Sequence, residues 1–254
     1  MAEWVIGDIH GHFDAFEALL ERITSVYGDP EHLVLLGDLV DRGPDSRAVV
    51  ERVRGMHSAG RATVLLGNHD EMMLHNLLLN RPELAAGAGL PEEAVRELTA
   101  GLAHAPQQTL RLWMMNGGYT TIRSYGGDPW MPSTWNIPEA HLAFLLQCPL
   151  AWDGGAYYAS HARAGKGALE AGIAAGASPW AVSEPLRHEL LWSRETPADQ
   201  PALPHYSGHT PQEQVQREGQ QILMDTGCAY GELLTAIAPQ EGWTLQVPCG
   251  RVRT

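Results

Sequence analysis

Gly37-Asp38-Leu39-Val40-Asp41-Arg42-Gly43 decides the fold class. The heptapeptide follows Leu33-Val34-Leu35-Leu36, an apolar run that reads as a fully buried strand. Gly37 has no Cβ, so the chain can turn tightly off the strand end. Two carboxylates and a guanidinium follow at once. At the carboxyl end of a strand they point into the crevice where open α/β sheets bind ligands. Asp38 can bridge two cations, Asp41 can orient a neighbouring base, and Arg42 can fork onto a phosphate. Alone, Asp and Gly after a strand are turn chemistry. Two similar stretches, one on each side, give this one its weight.

Upstream, residues 4–6 form a short strand that runs into Gly7-Asp8-Ile9-His10-Gly11. Downstream, Thr63-Val64-Leu65-Leu66 runs into Gly67-Asn68-His69-Asp70. Asp8, Asp38 and Asn68 are spaced 30 residues apart. Between them lie amphipathic helices: Phe13, Phe16, Leu19, Leu20, Ile23 and Val26 share one face, and Val49, Val50, Val53 and Met56 share another. Asp45 or Ser46 caps the second helix. Three β-loop-α units predict a parallel sheet with right-handed crossovers, all of whose loops open at one end.

Beyond residue 80 the pattern changes. Residues 81–118 read as a helical insertion covering one side of the site, with helix starts at Pro91 and Pro106 and an end at Asn116-Gly117-Gly118. A further helix spans 137–146. After residue 150 come short strands at 156–160, 206–207, 221–224, 233–238 and 243–247, which read as an antiparallel second sheet. Two of them end on His161 and His209.

The bulk numbers narrow the function. A chain of 254 residues with 44% hydrophobic content can fill one large α/β core, and no linker divides it, so we expect a single domain over 1–254. A net charge of −13 argues against nucleic-acid or anionic-membrane partners. No apolar run is long enough for a membrane span, and the N-terminus does not read as a signal peptide. Cys148, Cys228 and Cys249 lack a CxxC spacing, which suits free thiols in a reducing cytoplasm.

The strand-end polar residues are Asp8, His10, Asp38, Asn68, His161 and His209: two carboxylates, an amide oxygen and three imidazoles. Mixed oxygen and imidazole ligands suit Mn, Fe, Zn or Co. Six exceed the need of one catalytic metal with an open position, and fit two metals sharing a carboxylate, with Asp38 as the natural bridge.

These stretches resemble the three signature motifs of the PPP phosphoprotein phosphatases, in the calcineurin-like metallophosphoesterase superfamily. Asn116-Gly117-Gly118, Ser207-Gly208-His209-Thr210 and Asp225-Thr226-Gly227 are similar to its bacterial and phage members. The resemblance implies an α/β metallophosphoesterase fold, a two-sheet β-sandwich flanked by helices, with a helical insertion. It implies two divalent ions, manganese first and Fe, Zn, Co or Ni as alternatives. Asp8, His10 and Asp38 would hold one; Asp38, Asn68, His161 and His209 the other. A bridging hydroxide would attack phosphorus in line, His69 would protonate the leaving oxygen, and Asp41 would orient His69. Arg42, Arg194 and Asn68 would bind the phosphate. Two departures stand out: Asp70 where the family has Glu, and Arg163 where it has Gly. The shorter Asp70 is expected to shift the helix start and loosen the site, and Arg163 to face solvent, with an added phosphate contact as its alternative.

The expected function is therefore a metal-dependent, cytoplasmic and monomeric phosphomonoesterase, with a phosphoserine or phosphothreonine protein, phosphopeptide or small phosphorylated molecule as substrate. A diadenosine tetraphosphate hydrolase is the alternative, with Trp113, Tyr119, Trp130 and Trp135 as stacking surfaces for nucleosides. An inactive phosphate-binding scaffold is the third.

Overall fold

The computed structural model describes residues 2–90, 92–99 and 105–250. The helix start expected at Pro91 lies outside them. The chain opens with β1 (Glu3–Ile6), α1 (Phe13–Tyr27), β2 (His32–Leu35), α2 (Ser46–Ser58), β3 (Ala62–Val64) and α3 (Asn68–Asn80). The three strands pair in parallel, Val5 against Val34 and Val34 against Thr63. Asp45 caps α2, its carboxylate accepting the Ala48 N–H at 3.0 Å.

Strand alternation divides the core in two. Trp4, Ile6, Leu33 and Leu35 pack with Phe16, Leu19, Ile23, Val49 and Val53 of α1 and α2. On the opposite face, Val5 and Val34 join Leu36 and Leu65 against Tyr157, Ala159, Tyr206, Ile222 and Met224 of a second sheet. The molecule is thus a two-sheet sandwich with helices outside it.

The 81–118 segment contains α4 (Pro82–Gly87), α5 (Glu92–Thr99) and α6 (Pro106–Trp113). The helix end expected at Asn116-Gly117-Gly118 falls at a break: a π-turn over Met114–Gly118 closes α6, and Gly117, at φ 107°, leaves helical geometry. The chain then re-enters helix as α7 (Tyr119–Ser124), followed by α8 (Glu139–Leu145).

The second sheet contains β4 (Ala151–Asp153) and β5 (Tyr158–Ser160). Next come α9 (Lys166–Ala175) and α10 (Glu184–Trp192), then β6 (His205–Ser207), β7 (Gln216–Glu218) and β8 (Gln221–Leu223). It is not the antiparallel sheet expected. β5, β6 and β8 run parallel, with β4 and β7 antiparallel at the edges. The last strands, β9 (Leu233–Ala238) and β10 (Trp243–Pro248), leave it and extend the first sheet, in the order β10-β9-β1-β2-β3. Burial explains the choice. β9 is apolar and buried on both faces, so it belongs inside a sheet beside β1, whereas β10 alternates exposed and buried residues as an edge strand does.

That return carries Cys249 to within 5.3 Å (Cα–Cα) of Cys228, and the two form a disulfide. The expectation of free thiols therefore holds for Cys148 only. The pairing has no local spacing signal, because it depends on where β10 docks. Among the described residues, no helix is long and apolar enough to cross a membrane.

Candidate active site

Asp8, Asp38 and Asn68 follow β1, β2 and β3; His161 and His209 follow β5 and β6. The parallel strands of both sheets end at one rim, so their donor side chains meet across the sandwich. The backbone is bent to do this. Among the described residues, the non-glycine residues with positive φ are His10, Asp38, Asp41, Arg42 and His209, at 48° to 71°. Each such residue costs on the order of 1–3 kcal/mol, a cost typically found at functional sites. Two glycines make room: a Cβ on Gly67 would meet the Asp38 backbone nitrogen at 2.1 Å, and one on Gly208 would meet Asp8 Oδ1 at 1.9 Å.

Hydrogen bonding sets how the donors point. His10 Nδ1–H donates to the Val40 carbonyl at 2.9 Å, leaving the Nε2 lone pair facing Asp38 Oδ2 at 3.3 Å. His161 Nδ1–H donates to the Leu36 carbonyl at 2.9 Å, so its Nε2 lone pair faces Asn68 Oδ1 at 2.8 Å and Asp38 Oδ1 at 3.5 Å. His209 Nδ1 lies 2.9 Å from the same amide oxygen. Acceptors therefore face acceptors, which a shared cation reconciles. Carbonyl-anchored imidazoles are also a common arrangement for metal-ligating histidines.

The electrostatics agree. Asp8 Oδ2 accepts the His209 N–H at 3.0 Å, while buried Oδ1 has no hydrogen-bond partner. Burial, then the negative charges of Asp225 and Asp38, push the Asp8 carboxyl well above its ordinary range. For Asp38, burial opposes ionisation, but His161, His69 and His10 outweigh it and hold the group below the usual carboxylate range. Burial holds the His10, His161 and His209 rings below their ordinary pKa, in the neutral form that ligates metals. His10, Asp38 and His69 offer ligand atoms within 4.8 Å of one another, as do Asp8, Asp38 and His161. The residues present thus fit divalent metals.

His69 has other partners. Its Nδ1–H donates to Asp41 Oδ2 at 2.7 Å, and Arg42 Nη2 donates to its Nε2 at 3.1 Å. Burial lowers its pKa, but Asp38 and then Asp41 outweigh burial, so the net direction is upward. Asp41 also accepts from the Trp113 indole N–H at 3.0 Å and the Thr121 hydroxyl at 2.6 Å. The sequence gives neither residue this role. Trp113, expected among the stacking aromatics, is buried in the core, as is Trp135. No local pattern marks Trp113 or Thr121, because they reach Asp41 across more than 70 residues. Arg42 also donates to the Tyr230 hydroxyl at 3.0 Å, with the Tyr230 ring 5.1 Å from its guanidinium carbon.

Asp70 does not loosen this arrangement. Its Oδ1 accepts the Leu39 N–H and its Oδ2 the Gly67 N–H, both at 3.0 Å, and α3 starts at Asn68. The shorter side chain staples the second loop to the third. Arg163 does not face solvent: it is buried in an ion pair with Glu218. Arg194 is exposed on the loop after α10, close enough for its charge to act on His209 and Asp225. Asp225 is a further buried carboxylate beside Asp8, pushed up to about 6 chiefly by burial. His12, His141 and His205 are buried as well, outside this donor set.

The family model for calcineurin-like phosphoesterases matches residues 3–169. Serine/threonine-protein phosphatase 1 of Salmonella typhimurium is 28% identical over 243 residues, covering 91% of this chain and 89% of that protein. The asymmetrical bis(5'-nucleosyl)-tetraphosphatase PrpE of Geobacillus thermodenitrificans is 29% identical over 252 residues, covering 96% and 93%. Among solved structures, a Saccharomyces cerevisiae protein serine/threonine phosphatase superposes with a TM-score of 0.50 at 14% identity, covering 100% of this chain and 81% of that one.

Proposed function

The chain belongs to the calcineurin-like phosphoesterase family, and from that premise we propose that it hydrolyses phosphomonoesters, with protein phosphoserine and phosphothreonine as the first substrate class. The observation that carries this reading is the pairing of His69 with Arg42 beside the metal donors: Asp41 on one ring nitrogen, the guanidinium on the other. When bound, a pair of divalent ions, manganese first, supplies Lewis acidity and lowers the pKa of the attacking water. Asp8, His10, Asp38, Asn68, His161 and His209 are the side chains that would hold them.

The chain's own groups do the rest. Arg42 and Arg194 approach from different loops and bind the phosphoryl oxygens. In the free protein an Arg42 N–H occupies the His69 Nε2 lone pair. Once the guanidinium turns onto phosphate, Nε2 is free to hold a proton and deliver it to the leaving oxygen. Asp41 keeps the ring oriented and favours its charged form, and Trp113 and Thr121 hold Asp41.

One observation favours a second reading, a dinucleoside polyphosphate hydrolase. Met114, Met115, Tyr119, Arg123 and Trp130 line an open cavity of about 770 Å³. Tyr119 and Trp130 are exposed there. The π-turn that contributes its methionines also supplies the Asn116 and Gly117 carbonyls that face Arg42. A base stacked in that cavity would have its phosphates directed toward the clamp. The test is turnover of p-nitrophenyl phosphate, a phosphoserine peptide and diadenosine tetraphosphate by Mn²⁺-loaded protein. Peptide turnover supports the first reading; a preference for the dinucleotide of about 100-fold in kcat/KM, nearly 3 kcal/mol, replaces it with the second.

A further inference from the structure

Arg163 stands two residues after His161, where the resemblance leads one to expect glycine, and its side chain is turned away from the metal donors. Nη1 donates to Glu218 Oε2 and to Thr196 Oγ1, both at 2.7 Å, and Nη2 donates to Glu218 Oε1 at 3.3 Å. The Thr196 hydroxyl donates to the same carboxylate at 2.9 Å, closing a triangle. Thr196 lies two residues beyond Arg194. Two residues before Arg194 is Trp192, whose indole N–H donates to Glu71 Oε2 at 2.9 Å and whose ring meets that of His209 edge-on at 6.2 Å. Arg194 is thus the midpoint of a five-residue span fixed at both ends.

We propose that Arg163 is a positioning residue: it clamps the far end of the loop so that Arg194 is already in place when a phosphate arrives. This rests on reading Arg194 as a phosphate contact. A free arginine side chain surrenders rotamer entropy when it is fixed, and loop ordering adds to that cost. A brace that orders the backbone beforehand lowers this cost of binding. The near anchor, Trp192, is common to the site itself; the far anchor depends on the side chain of Arg163. Both partners of Arg163 are partly exposed, so removing the guanidinium leaves no buried charge behind.

The test compares wild type, R163A, E218Q, R194A and R163A/R194A, by the Ki of inorganic phosphate against p-nitrophenyl phosphate and by calorimetric titration of inorganic phosphate. We expect R194A to weaken phosphate binding by about tenfold and R163A by about three- to fivefold, with kcat within about twofold. E218Q should follow R163A, and R163A/R194A should bind no more weakly than R194A, since the brace has nothing left to place. Full additivity of the two arginine changes, or wild-type affinity in R163A while R194A is impaired, overturns the brace. Wild-type affinity in R194A instead removes the reading on which the brace rests. Should the protein turn over neither ester nor anhydride, the hydrolase reading fails, and calorimetry still reads the brace.

Discussion

Asn68 shows how much chemistry one side chain can gather at this rim. Its amide oxygen lies 2.8 Å from His161 Nε2 and 2.9 Å from His209 Nδ1, so two sheets converge on one atom. Asp38 does the same on the other side, facing His10 and His161 while accepting the His69 N–H at 2.8 Å. Replacing Asp38 by Asn removes the charge on which both donor groups converge. We expect Asp38→Asn to lose metal from both positions in elemental analysis; unchanged stoichiometry would rule out a bridging role. His69→Asn should keep its metals and lose roughly 10²–10⁴ in kcat. Full activity in that variant would take His69 out of the mechanism. Most of these residues were legible, because each follows an apolar run at a strand end. Trp113, Thr121 and Asp70 were not legible in their actual roles, since each acts by a hydrogen bond to a loop far away in sequence.

At the level of elements, the three opening βα units could be read because their apolar runs and helical faces are local patterns. The second half could not be read so far. β4 and β7 are edge strands whose three residues are mostly exposed or half-buried, so no apolar run marks them. α9 is rich in Ala and Gly, with little amphipathic contrast, and Gly lowers helix propensity by about 1 kcal/mol relative to Ala. β9 and β10 were seen as strands but assigned to the wrong sheet, because partner choice depends on burial of both faces. The disulfide follows from that docking. It closes a sequence separation of 21, which in the chain-entropy picture contributes about 3 kcal/mol. Dithiothreitol should therefore lower the melting temperature by about 5–10 °C, read by differential scanning calorimetry. The same melting temperature with and without reductant would mean that β10 is held by its strand pairing alone.

At the scale of the whole molecule, a buried polar chain that catalysis does not use bears on stability. His205, inside the second sheet, lies 2.7 Å from Ser160 Oγ and 2.8 Å from Gln221 Oε1, and burial pushes its pKa down to about 4. An unfolded histidine titrates near 6.5, so between those values the unfolded chain binds the extra proton and the folded one does not. This contribution is fully present above pH 6.5 and is lost as pH falls toward 4, by up to about 1.4 kcal/mol per unit. His205→Asn should flatten the acid side of the stability profile in urea titrations at pH 7, 6 and 5. An unchanged slope would assign the acid sensitivity to other groups.

The left-handed backbone at His10, Asp38, Asp41, Arg42 and His209 has a consequence for how such a chain can change. At those five places glycine would suit the main chain better, yet glycine brings no donor, no acid and no cation. Selection for heat resistance alone would erode them, and selection for turnover alone would restore them. A lineage that lost its substrate should therefore show glycines here early, while its sheets remained intact.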